Sequence, residues 1–264
     1  NVAVGSGALD SNTTAGCNTS IGHGSMGDNT EGTNNVAVGR SALGSNTTGS
    51  SNVSIGRSSL TLNTTATGNT AVGAFALDKN TTGANNVGLG WQALTVNTTA
   101  SNNTAVGSLS LLANTTGASN TAGGQNSLKA NTTASNNTAF GTQSLCKNTT
   151  GSTNSALGGN SLCANTTGTG NTAVGYDALL LNTTAGNNTA MGLNAMRANT
   201  TGDQNVAVGV VALTSNTTGT ENTAIGRFAM NSNTTGCYNT AVGKAALCSN
   251  TTARCNTAIG MNAL

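Results

Sequence analysis

Charged residues, aromatic residues and proline are scarce or missing in this 264-residue chain. Only 6% of the residues are charged, 2% are aromatic and none is proline. Nine basic residues against seven acidic ones give a net charge of +2, which provides no basic surface to neutralise a run of phosphates. This excludes nucleic acid as a partner, and since no run of about 18 apolar residues occurs, no membrane-spanning segment is predicted.

Candidate catalytic groups are also scarce. His23 is the only histidine, and no serine, cysteine or aspartate stands at a fixed spacing from it. Catalysis requires a unique group of residues, whereas each invariant residue of this chain recurs about fifteen times. We therefore expect no enzyme, no metal site and no cofactor.

A 17-residue repeat occupies the whole chain instead. Fifteen full copies and nine residues of a sixteenth follow each other without an insertion or deletion, with the consensus N-[TV]-A-[VI]-G-x-x-[AS]-L-x-x-N-T-T-[GA]-x-x. Residues 1–264 are therefore interpreted as a single repeat array without separate domains. The copies begin at Asn1, Asn18, Asn35, Asn52, Asn69, Asn86, Asn103, Asn120, Asn137, Asn154, Asn171, Asn188, Asn205, Asn222, Asn239 and Asn256.

A period held this strictly indicates that each repeat is one structural rung that must align with its neighbours. Seventeen residues are too few for the helix pairs of α-solenoids, and Gly, Asn and Thr disfavour helix interiors. They suit short strands joined by tight turns and stacked at about 4.8 Å per rung. The predicted fold is an all-β parallel β-solenoid, a β-roll or β-helix with one coil per repeat, associated as a trimer or filament.

The repeat positions predict which side chains face the core. The fourth position is apolar in every copy except Gly123, and the ninth is always Leu or Met, so both are predicted to form the core. The second position shares a strand face with the fourth and is predicted to point inward as well. The invariant glycine at the fifth position is predicted to turn a corner with a backbone angle that other residues resist. Fifteen of the sixteen charged residues lie in six variable positions, which marks those positions as exposed.

The third position is small in every copy: alanine in thirteen, serine in two and glycine in one. Because it alternates with the second and fourth positions, its side chain is expected to face away from the core. Solvent does not require small residues, whereas a closely packed neighbour does. The sequence thus predicts that the third position packs against another chain or another sheet, most economically around a symmetry axis.

The strand sequence resembles that of a known group of fibrous proteins. The segment NTAVG, at 69–73, 103–107, 171–175 and 239–243, looks like the repeated strand of trimeric autotransporter adhesin heads. Those heads are left-handed parallel β-rolls wound as trimers, and their repeat is usually shorter. The 17-residue form with NTTG resembles repeat arrays of phage tail-fibre-like and bacterial surface proteins. The resemblance implies a fibrous β-solenoid.

The Asn-Thr-Thr segment matches the N-glycosylation sequon in fourteen of its fifteen copies, and Asn18, Asn52, Asn102, Asn136 and Asn187 begin further sequons. Sugars on successive rungs would lie about 4.8 Å apart, which is too close for N-glycans. We therefore favour a structural ladder of stacked amides at a turn, with dense glycosylation as the alternative. The ladder residues are Asn12, Asn46, Asn63, Asn80, Asn97, Asn114, Asn131, Asn148, Asn165, Asn182, Asn199, Asn216, Asn233 and Asn250.

Two cysteine pairs fall on adjacent rungs. Cys146 and Cys163 occupy the same repeat position, and Cys237 and Cys255 lie one position apart, so both pairs are candidate disulfides. Free thiols in tolerant outward positions are the alternative.

Together these observations predict a structural protein: the shaft of an extracellular fibre, filament or adhesin on a cell or virion surface. The expected partners are copies of the chain itself, with weak contacts to a surface or glycan. Because the chain starts at Asn1 and stops at Leu264 within the pattern, we expect either a longer protein or end-to-end stacking of subunits. The alternative function is an ice-binding or glycan-binding solenoid that uses stacked Thr and Asn residues.

Overall fold

A computed structural model describes all residues from 1 to 264. They form two compact units, Asn1–Ser135 and Asn136–Leu264. Each unit is a parallel β-solenoid in which one repeat makes one coil, as the repeat predicts. No helix long and apolar enough to cross a membrane is present.

Every repeat contributes one three-residue strand, from its second to its fourth position. In the first unit the strands are β1 (Val2–Val4), β2 (Thr19–Ile21), β3 (Val36–Val38), β4 (Val53–Ile55), β5 (Thr70–Val72), β6 (Val87–Leu89), β7 (Thr104–Val106) and β8 (Thr121–Gly123). In the second unit they are β9 (Thr138–Phe140), β10 (Ser155–Leu157), β11 (Thr172–Val174), β12 (Thr189–Met191), β13 (Val206–Val208), β14 (Thr223–Ile225), β15 (Thr240–Val242) and β16 (Thr257–Ile259).

Strand pairing follows chain order within each unit, with a register offset of one repeat. Ala105 of β7 pairs with Ala122 of β8, and Ala173 of β11 pairs with Ala190 of β12. The turns between strands bond to the next rung in the same way, since the N–H of Thr47 donates to the carbonyl of Thr64 at 2.9 Å. The ladder of backbone hydrogen bonds therefore continues well outside the formal strands.

The fifth-position glycine turns the first corner of each coil. Its φ lies between 124° and 139° in every repeat, a region that side chains avoid. A Cβ added to Gly107 would lie 2.7 Å from both the carbonyl carbon and the carbonyl oxygen of Gly124 on the next rung. The prediction for this glycine is confirmed, and close stacking explains its invariance as much as the backbone angle does.

The ninth-position residue lies in the core, as predicted. Leu or Met is buried at this position in fifteen rungs, and only the last residue, Leu264, is exposed. Its backbone is left-handed, with φ between 46° and 58°, which is uncommon for a bulky side chain. This conformation turns a second corner of the coil and directs the leucine inward.

The strand faces the opposite way from the prediction. The third-position residue is fully buried, as at Ala105, whereas the fourth-position residue is exposed, at 43% for Val106. The second position is half-buried on the outer face. The assignment of the second and fourth positions to the core was wrong, as was the outward placement of the third position against a partner chain.

A thin interior explains this inversion. A Cβ added to Gly88, at the third position, would lie 3.4 Å from the side chain of Leu77, at the ninth position of the preceding rung. The space opposite the strand is thus already filled by leucine and by the small eighth-position residue, such as Ala93. Only Ala, Ser or Gly fits there, and strand alternation then places Val and Ile outside.

Candidate functional site: ladders and exposed faces

Within each unit, asparagines at the twelfth position form a series of amide hydrogen bonds, here called the turn ladder. The Nδ2 of Asn46 donates to the Oδ1 of Asn29 at 2.7 Å and to the carbonyl of Gly49 at 2.9 Å. The Nδ2 of Asn63 donates in turn to the Oδ1 of Asn46 at 2.8 Å. Asn46 is completely buried, so both of its amide hydrogens are used inside the coil.

The turn ladder recurs in both units at the asparagines named from the sequence. In the second unit, for example, Asn182 donates to Asn165 at 2.9 Å. The ends differ slightly: Asn12 and Asn250 are half-buried, and the Oδ1 of Asn12 has no hydrogen-bond partner. Because a sugar on Nδ2 would replace a buried N–H, the folded coil leaves no room for N-glycans on the fully buried asparagines of this ladder.

A second series of amides at the first position of the repeat, the strand ladder, precedes each strand. The Oδ1 of Asn18 accepts the backbone N–H of Asn35 at 2.8 Å, and the Nδ2 of Asn35 donates to the carbonyl of Gly49 at 2.8 Å. Sequence reasoning did not identify this ladder, although its signal is present as an asparagine that begins every repeat.

The two threonines of Asn-Thr-Thr have different environments. At the thirteenth position the hydroxyl bonds along the stack, as in Thr47 Oγ1 to the carbonyl of Thr64 at 3.1 Å. At the fourteenth position the threonine is exposed in every rung that has one, as at Thr65 and Thr99, and Glu31 is the single replacement. We call this exposed series the threonine column, and sequence reasoning did not place it outside.

The outer surface of the strands, formed by the second and fourth positions, exposes a regular series of apolar residues, and we call it the sheet face. Its fourth-position residues are nowhere buried; Ile55 is 39% and Phe140 48% exposed. The second position holds Thr, Val or Ser, and no charged residue occurs at either position.

Cys146 and Cys163 are brought together in the second unit, as their shared repeat position predicts. The hydrogen bond with Cys146 and burial raise the pKa of the Cys163 thiol. Strand-like stacking places equivalent Cα atoms about 4.8 Å apart, within the range that a disulfide spans. The geometry is compatible with the predicted disulfide, which stays a prediction.

Cys237 and Cys255 also lie on adjacent rungs, where the N–H of Cys255 donates to the carbonyl of Cys237 at 3.1 Å. The Sγ of Cys237 accepts the N–H of Thr220 at 3.4 Å. Burial acts to raise the pKa of Cys237, but the hydrogen bond from Thr220 and the positive charge of Arg254 outweigh it, so this pKa is lowered. The thiol of Cys237 therefore ionises more readily than an ordinary cysteine thiol.

The surface has no concave pocket, and no three His, Cys, Asp or Glu side chains lie close enough together to hold a metal ion. No known protein-family model matches the sequence, and no curated protein is significantly similar to it.

Proposed function

We propose that this chain is a structural shaft, a rigid and non-catalytic part of an extracellular fibre, filament or adhesin. The observation that carries the proposal is the continuity of hydrogen bonding along the stack. Within each unit, neighbouring rungs are joined through the strands, the turns and both amide ladders. A chain built this way resists bending because bending must stretch several parallel series of bonds at once.

Bending stiffness tests this proposal. It is measured in electron micrographs of the purified 264-residue chain. The double variant Asn97→Ala/Asn114→Ala, which interrupts the turn ladder of the first unit, should show more strongly curved particles than the wild type. The matched control Thr99→Ala/Thr116→Ala changes exposed residues of the same two rungs and should leave curvature unchanged. Equal curvature in the two variants would overturn the shaft.

The sheet face is the surface through which we expect copies of this chain to associate. A second copy has the same rung spacing and can therefore match the sheet face rung for rung, which a partner of another period cannot do. The absence of charge at its two positions removes the electrostatic cost of pairing two identical surfaces. We therefore assign to the sheet face the contact role that was predicted for the third position, whose residues are in the core.

The size of the face decides how strong this association is. Eight strands at about 4.8 Å spacing and about 10 Å length give a face of roughly 350 Å² in each unit. A stable interface buries about 800 Å² per partner, so one unit alone supplies less than half of that area. Association is therefore expected to be concentration-dependent and to strengthen with the number of rungs engaged.

Sedimentation velocity over a range of concentrations tests the interface and gives the number of chains. The double variant Ile55→Lys/Val106→Lys should shift the wild-type association to higher concentration. The control Thr65→Lys/Thr116→Lys adds the same charges to the same two rungs at the threonine column. A wild-type chain that stays monomeric, or equal weakening by the control, would refute the sheet face as the contact.

A second candidate function, binding of an ordered surface such as ice or an extended glycan, is favoured by the threonine column. These threonines are exposed and nearly invariant, and their hydroxyls are not needed to hold the coil. The asparagine ranks do not support this function, because they are buried. The second-position threonines are half-buried and interrupted by valine, so the threonine column is the more regular series of exposed hydroxyls.

Assays of ice recrystallisation and of adsorption to insoluble polysaccharide test the second candidate. The variant Thr65→Glu/Thr99→Glu copies the residue that Glu31 naturally places at this position and should abolish binding while preserving the fold. The control Ser51→Glu/Ser119→Glu adds the same two charges at the seventeenth position, where Glu221 occurs naturally. Absence of binding by the wild-type chain in both assays would leave the shaft as the function.

A further inference from the structure

The sequence contains nineteen N-glycosylation sequons, and the fold separates them into two classes. Fourteen belong to the turn ladder, and Asn18 and Asn52 belong to the buried strand ladder. The acceptor asparagine is exposed in only three sequons, those of Asn102, Asn136 and Asn187. We propose that these three residues are the N-glycan acceptor sites of the folded chain.

All three acceptors occupy the seventeenth position, at the turn that precedes a strand. Their backbone is left-handed, with φ of 62° at Asn102, 61° at Asn136 and 57° at Asn187, a conformation that asparagine tolerates well. The backbone of Asn102 is fixed by its N–H, which donates to the carbonyl of Ala84 at 3.1 Å. The side-chain amide is left to solvent, in contrast to the doubly bonded amides of the turn ladder.

The third residue of each sequon is the threonine that begins a strand, Thr104, Thr138 or Thr189. Each of these threonines lies on the outer side of the coil and is half-buried. Both recognition groups of the sequon therefore face outward, and only the central asparagine, such as Asn103, is buried. No other sequon of the chain has this arrangement.

Attachment requires a lipid-linked oligosaccharide pyrophosphate as donor and an oligosaccharyltransferase. The Nδ2 of asparagine forms a bond to the anomeric carbon of the sugar, and the bond from that carbon to the pyrophosphate oxygen breaks. The pyrophosphate leaves with the electron pair, and a proton of Nδ2 passes to a base of the transferase. No oxidant or reductant is needed.

Within each unit, the exposed acceptor asparagines are far enough apart for each of them to carry a glycan. Asn136 and Asn187, both in the second unit, lie three repeats apart, which corresponds to about 14 Å along the stack. Asn102, which precedes β7, is the single exposed acceptor asparagine of the first unit. No glycan is therefore expected next to strands β1 to β6, where the sheet face stays uncovered. Sugar at these sites would therefore leave most of the apolar surface open, and the inference does not depend on the proposed shaft.

The test is expression of the full chain through a eukaryotic secretory pathway. Secreted and retained fractions are treated with peptide N-glycosidase in ¹⁸O-water, and the labelled sites are mapped by mass spectrometry. We expect label at Asn102, Asn136 and Asn187 in the secreted chain, and label on ladder asparagines only in retained, misfolded chains.

Two matched variants exploit residues that the repeat already uses. Thr104→Val removes the sequon of Asn102 and introduces the residue found at the same position in Val87, so the fold should persist while one glycan is lost. Val87→Thr creates a sequon at Asn85, which is exposed at the seventeenth position, and should add one glycan. Circular dichroism of both variants checks that the β-structure is intact.

The proposal is overturned if secreted chains carry no sugar at the three sites, or if Val87→Thr gains no glycan and Thr104→Val loses none. Sugar on turn-ladder asparagines of secreted chains with intact β-structure would overturn it equally. Failure of the bending experiment on the shaft would change none of these outcomes, so the two proposals fail separately.

Discussion

Replacement of Gly107 by alanine should destabilise the coil through contacts with the next rung. The φ of Gly107 is 130°, which an L-residue adopts only with strain of about 1–3 kcal/mol. The added Cβ would lie 2.7 Å from the carbonyl group of Gly124 and 3.1 Å from the nitrogen of Gln125. Because these are backbone atoms, relief requires movement of the next rung, and overpacking adds about 1–3 kcal/mol. We expect a total loss of about 2–6 kcal/mol.

Gly24→Ala is the matched control for this substitution. Gly24 has a φ of 62°, and a Cβ added to it meets no atom within 4 Å. Ala245 occupies the same repeat position with a φ of 53°, so alanine is already accepted there. The control should cost about 1 kcal/mol from its left-handed backbone alone.

Urea unfolding followed by circular dichroism gives the overall change in stability of both variants. Because repeat arrays do not always unfold in two states, hydrogen exchange measured by mass spectrometry locates the loss. Gly107→Ala should lower protection in peptides that cover β7 and β8, whereas Gly24→Ala should not. A difference below about 0.5 kcal/mol between the variants would refute the argument that rung stacking fixes this glycine.

Two further predictions concern the turn ladder and the cysteines. Asn97→Ala removes a donor to Asn80 at 2.8 Å and leaves buried groups unpaired, so it should lower the free energy of unfolding by about 2–4 kcal/mol. Thr99→Ala changes an exposed residue of the same rung and should alter this free energy by less than about 0.5 kcal/mol. Equal effects of the two variants in urea unfolding would contradict the stabilising role of the ladder. The rate at which iodoacetamide alkylates Cys237 should reach half its maximum at a pH below the pKa of an ordinary thiol. Arg254→Ala should raise this midpoint pH, because the thiolate loses its positive neighbour. A midpoint that Arg254→Ala leaves unchanged, as measured by mass spectrometry of the alkylated peptide, would contradict this assignment.

Much of the fold could be predicted from periodicity alone. A strict repeat fixes the number of coils, and the NTAVG segment fixes the strand in each of them. The invariant Gly at the fifth position and the Leu or Met at the ninth each had one physical explanation, and both explanations hold. Strand pairing then follows from chain order, because adjacent coils are adjacent in sequence.

The direction of the strand could not be obtained from the rule that apolar residues lie inside. That rule assumes an interior wide enough for Val106, whereas the coil leaves room only for a small residue such as Ala105, because the leucine of the preceding rung fills the space opposite the strand. The available signal was the coincidence of small residues at the third, eighth and fifteenth positions. Three small positions in one short repeat indicate a narrow interior rather than an interface with a partner.

The candidate sites were partly hidden for a related reason. The sequons at Asn46 and Asn102 both match the pattern N-x-T, so the motif cannot distinguish them; they differ in the burial of the asparagine. Exposure also separates the two threonines of Asn-Thr-Thr in the inner rungs, as at Thr64 and Thr65, whereas both threonines are exposed in the first and last copies. The motif thus identified all asparagines that could carry a glycan, whereas the stacking of the coils determines which of them are exposed.

The hydrogen bonds of this fold have an additional consequence for folding kinetics. Each bond between rungs joins residues about one repeat apart, as in Thr70 to Asn86 and Leu77 to Ala93. The mean sequence separation of contacts is therefore set by the repeat and does not grow with chain length, unlike in most β-proteins, whose non-local pairing slows folding. Because this mean separation stays constant while the chain lengthens, relative contact order falls with every repeat added. Folding of such a chain can nucleate at any pair of coils and extend in both directions.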